Sequence, residues 1–81
     1  MPTTASDRDN RALALINTLS STLLNIDAEY EFEIRRIRAT KTAARDHRDF
    51  VLERLRMRHD ERREPYIRNI AELRGRIATH G

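Results

Sequence analysis

From Asp7 to Glu64 the chain contains neither glycine nor proline. Tight turns and hairpin loops depend on those residues, so so long a stretch without them disfavours a β fold and favours helix. The apolar residues point the same way. Ile16, Leu19, Leu23, Ile26, Tyr30, Ile34 and Ile37 step by three or four. At about 100° per residue they fall on one stripe, with Ala12 inside it and Leu15 beside it. A second stripe runs through Ala44, Val51, Leu52, Leu55, Tyr66, Ile70, Leu73 and Ile77.

Between the stripes the apolar signal lapses. The seam positions from Ile37 to Val51 hold Lys41, Ala44 and Arg48, beside Thr40 and Thr42, β-branched residues whose hydroxyls bond readily to nearby backbone. A turn here predicts an all-α, elongated helical hairpin whose two arms cover each other's stripes. One uninterrupted helix is the alternative, because the stripes share a phase. The first helix is expected over about 7–39, after a flexible polar tail of residues 1–6 in which Ser6 and Asp9 have capping-box spacing. Pro65 has no backbone N–H and disfavours helix at Glu64, so it is expected to kink or break the second arm into helices of about 43–63 and 65–79.

A chain of 81 residues has room for one domain, and at this size it buries only about 60–65% of its unfolded surface. With no cysteine, neither disulfides nor thiolate zinc sites supply the missing stability. Self-association is the remaining common route. The expected product is a homo-oligomer, a dimer first, built as a coiled-coil-like pair or four-helix bundle. The most apolar stretch, Arg11 to Ile26, is interrupted by Asn17, Thr18, Ser20, Ser21 and Thr22 and no small-residue cleavage motif follows it. A secretory signal or membrane span is therefore not expected, and the cytoplasm is the expected compartment.

The net charge of +3 conceals segregation along the chain. Residues 1–34 carry two arginines against Asp7, Asp9, Asp27, Glu29, Glu31 and Glu33, a net of −4. Residues 35–63 reverse this with Arg35, Arg36, Arg38, Lys41, Arg45, Arg48, Arg54, Arg56, Arg58, Arg62 and Arg63 against five acids, a net of +6. The remainder adds +1. The acidic patch of the first arm is expected to face the basic second arm, within one chain or across a dimer, with most other charges solvated. The alternative is that the eleven basic residues contact nucleic-acid phosphates. Arginine's planar fork suits carboxylate and phosphate equally, so residue type does not separate the two.

No constellation of catalytic, cofactor-binding or metal-ligating residues stands out. Asp27/Glu31 and Glu29/Glu33 are carboxylate pairs at helical spacing, yet no Asp or Glu stands three before a histidine as a di-iron bundle requires. Ser-His-Asp, Gly-rich phosphate and zinc patterns are not recognisable, and so short a chain leaves little material to shape a pocket. Off the main stripes, Leu24, Phe32, Phe50 and Met57 suggest a second apolar interface, with Phe32 and Phe50 at similar heights if the hairpin turns near residue 41. His59 and Arg62 fall on the second stripe and make its middle polar. Such residues are expected to set register or meet a partner's carboxylate in an oligomer interface.

The run Ile16-x-x-Leu19 with Ile26-Asp27-Ala28-Glu29-Tyr30-Glu31-x-Glu33-Ile34-x-x-Ile37, and later Glu64-Pro65-Tyr66-Ile67-x-x-Ile70-x-x-Leu73-x-x-x-Ile77, resembles the helical hairpin of Mu Gam-type phage proteins over residues 13–77. That resemblance implies paired long helices that dimerise and bind duplex DNA ends. The expected function is a non-enzymatic, self-associating interaction or regulatory module, with nucleic-acid binding through residues 35–63 as the alternative.

Overall fold

The computed structural model describes residues 4–40 and 44–78. It contains two long helices, α1 (Thr4–Ala39) and α2 (Arg45–Ala78), packed on each other as an antiparallel hairpin measuring 65 × 16 × 13 Å. The single long helix is thereby excluded. α1 starts one turn earlier than Asp7, so Ser6 lies within the helix instead of capping it. At its other end Thr40 closes α1 twice: its N–H donates to Ile37 O at 3.2 Å and its Oγ1 to Arg36 O at 3.0 Å. The lapse between the stripes is thus a helix stop, as the local bonding of Thr40 suggests. Lys41 and Thr42 lie outside the described residues, as do residues 79–81.

At Pro65, where a kink or a break is expected, α2 is not broken but continues as helix. Both Pro65 and Glu61, whose carbonyl a residue-65 N–H would have met, are solvent-exposed. Water can take over the freed acceptor, and the ring meets no packed surface that would force a break. On the opposite side of the helix the stripe through Tyr66 and Ile70 continues to pack, so tertiary contact holds the segment helical.

The core is small and lies toward the chain ends. Ile16, Ile70 and Leu73 form its buried cluster, with Ala12, Leu19, Leu23 and Ile77 packed against it. Among the described residues, Ile26 is the other buried one. On the turn side of Ile26, the stripe residues Ile34, Ile37, Val51, Leu52 and Leu55 are only half-buried. Among the described residues, seven large apolar side chains remain exposed, including Phe32 and Phe50 at 60% and 62%.

The accessible surface is 6642 Å², against about 5,000 Å² for a globular protein of this mass. The radius of gyration of 18.7 Å likewise exceeds the roughly 12 Å of a compact chain this long. One layer of two helices has faces but almost no interior.

Candidate interaction surface

At the middle of the seam the apolar stripes give way to a polar belt. His59, with only 13% of its side chain exposed, places Nε2 2.7 Å from Asp27 Oδ1. Its ring stacks on Tyr30 with centroids 3.9 Å apart and planes 7° from parallel. Arg63 Nε approaches the same Asp27 oxygen to 2.9 Å without the alignment of a hydrogen bond, so that contact is chiefly Coulombic. Arg62 donates from Nη1 to Glu29 Oε2 at 3.1 Å. His59 and Arg62, expected to meet a carboxylate in an oligomer interface, here meet carboxylates of their own chain.

These four contacts join residues whose numbers total about 86 to 91, which sets the register of the hairpin. A turn centred on residue 41 would give 82, so the pairing is displaced. Phe32 therefore lies level with about residue 57 and Phe50 with about residue 39, roughly 10 Å apart along the axis. The expectation of equal heights is corrected. Leu24 and Phe32, eight residues apart, also point about 80° away from each other around α1.

Away from the belt, several ion pairs are local. Arg35–Glu31 and Arg36–Glu33 lie within α1, and Arg56–Glu53, Arg56–Asp60, Arg68–Glu64 and Arg76–Glu72 within α2. The hydrogen bond from Arg56, reinforced by its charge, holds the Glu53 carboxyl below its ordinary range. Across the arms, Asp27 and Glu29 of the acidic arm meet His59, Arg63 and Arg62 of the basic arm. Among the described residues, no ion pair engages Arg38, Arg45, Arg54 or Arg58. Arg48 has a contact of its own.

Two adjoining grooves of about 350 and 470 Å³ open beside the seam in the turn-proximal half and share Glu33, Leu55 and Arg58. Tyr30 and Phe32 line the first and Ile37, Phe50 and Val51 the second. The wall from α2 is a ridge of Arg54, Arg58 and Arg62, one helical turn apart. The wall from α1 carries Glu29 and Glu33. The Arg54 guanidinium lies 5.9 Å from the Phe50 ring centroid, within cation–π range. Met57 lies beyond the arginine ridge with Glu61, and Leu24 lines neither groove.

Sequence reasoning singled out Phe32, Phe50 and the arginines but missed Leu55 and Glu33, which join the two grooves. No three metal-ligating side chains cluster among the described residues, and no helix there is long and apolar enough to cross a membrane. Compared with protein-family models, curated proteins and solved structures, the chain matches none.

Proposed function

We propose that the protein is a non-enzymatic cytoplasmic module that self-associates, a dimer first, and acts by helix-mediated protein interaction or regulation. The observation that carries this reading is the surface excess. The chain exposes 6642 Å², roughly 1,600 Å² beyond a compact protein of its mass. That excess is twice the 800 Å² or so that each partner buries in an ordinary interface. Sedimentation across a dilution series tests it. A mass that falls with dilution while helix content declines supports the reading, and a compact folded monomer at every concentration refutes it. Phe32→Ala combined with Phe50→Ala is expected to lower the assembled mass more than the helix content.

The second reading is nucleic-acid binding by the arginine segment, in keeping with the resemblance to Mu Gam-type proteins. Arg38, Arg45, Arg54 and Arg58 favour it, because no carboxylate neutralises them among the described residues. Duplex DNA titrated at two salt concentrations separates the readings. Phosphate contacts give steeply salt-dependent binding, whereas unchanged mobility at low salt excludes them.

A further inference from the structure

The grooves between Phe32 and Phe50 have walls of opposite sign, and that arrangement restricts what fits them. On the α2 side stand Arg54, Arg58 and Arg62; on the α1 side stand Glu29 and Glu33; the floor between them is apolar through Leu55, Ile37 and Val51. With the observed register, Arg58 is level with about residue 31 and Arg54 with about residue 35. Glu33 therefore stands at a height between the two arginines. Neither arginine is ion-paired among the described residues.

We infer that this groove is the contact face for a second copy of the chain, related by a two-fold axis running along the hairpin. The inference rests on the self-association proposed above and specifies its face and symmetry. An isologous contact places the same surface against itself, so the surface must be self-complementary. Rotation about an axis along the groove lays the acidic α1 wall of each chain on the basic α2 wall of the other. Each Glu33 then lies between the partner copy's two unpaired arginines. A two-fold axis across the middle of the groove would instead set glutamate against glutamate and arginine against arginine, which like-charge repulsion disfavours. In the favoured arrangement every neighbouring pair of helices is antiparallel, as in up-down four-helix bundles, and the half-buried Leu55, Ile37 and Val51 become interior.

Charge exchange between two chains tests this directly. Glu33→Arg sets each new arginine beside the partner copy's two arginines, and Arg58→Glu sets each new glutamate beside the partner copy's glutamate; each is expected to raise the dimer dissociation constant by about tenfold or more. Mixed in equal amounts, the two variants are expected to recover dimers that are heterodimers by native mass spectrometry. The double variant E33R/R58E is expected to dimerise with itself, and helix content by circular dichroism shows that each variant folds. If the native chain dimerises and both single variants keep its dilution curve, the face assignment is overturned while self-association stands. A native chain that remains monomeric overturns both. A monomer that also retards on duplex DNA assigns the arginine ridge to phosphate and overturns the second copy.

Discussion

The two halves of the hairpin are built from the same helices yet hold together differently. In the terminal half, Ile16, Ile70 and Leu73 are buried against Ala12, Leu19, Leu23 and Ile77, an apolar cluster that joins the two helices. In the turn-proximal half no described residue beyond Ile26 on α1 or before Ile70 on α2 is buried, and Phe32, Phe50 and Met57 face solvent. The belt of Asp27, Tyr30, His59 and Arg63 marks the boundary. Grooves open in both halves, but the terminal half has a buried apolar cluster beneath them and the turn-proximal half has none. The proposed self-association would thus assign stability to the terminal half and interaction to the turn-proximal half of one element pair.

Removing the same kind of side chain from each half sharpens the contrast most. Ile70→Ala is expected to destabilise the fold by about 2–4 kcal/mol, and half-buried Leu55→Ala by roughly half as much. Urea melts at equal chain concentration compare them, and equal losses would erase the difference between the halves. At the boundary, Asp27→Ala leaves His59 without its hydrogen-bond partner and Arg63 without its counter-charge, at a cost of about 1–3 kcal/mol. Replacing Asp27 and His59 together by leucine is expected to cost less than Asp27→Ala by the same melts, because Arg63 alone is then left without its partner. A strongly destabilised double variant would show that the belt contributes more than mutual neutralisation.

Smaller effects probe the backbone. Pro65→Ala restores a helical N–H to Glu61 and is expected to stabilise by about 1–2 kcal/mol, net of the lost restriction on the unfolded chain. A lower melting temperature would mean that the proline ring packs better than its exposure implies. In the other half, α2 begins with Arg48 N–H bonding to Ala44 O at 3.0 Å, so alanine occupies the capping position. Ala44→Ser is expected to add about 0.5–1 kcal/mol, read from the same thermal melts.

The hairpin and its seam were legible in the sequence because both stripes keep one period and each needs a cover. The buried residues Ile16, Ile26, Ile70 and Leu73 all belong to those stripes. The polar interruption at His59 was legible too, but its acceptor was not. Naming Asp27 requires the register, and an error in the turn centre enters the pairing twice. A turn assumed at residue 41 for this reason misplaced Phe32 against Phe50 by about 10 Å. At Pro65 a kink and a break were both open, because the choice depends on whether the carbonyl it frees faces water, which periodicity does not encode. The grooves were least legible, since they join side chains of both arms that share no spacing.

Amide hydrogen exchange followed by mass spectrometry across a dilution series addresses both halves in one experiment. If the turn-proximal half is covered by a second copy, residues 28–40 and 44–60 gain protection as chain concentration rises, while residues 12–26 and 66–77 change much less. A protection profile identical at every concentration, with the turn-proximal half as slow to exchange as the terminal half, would contradict that division.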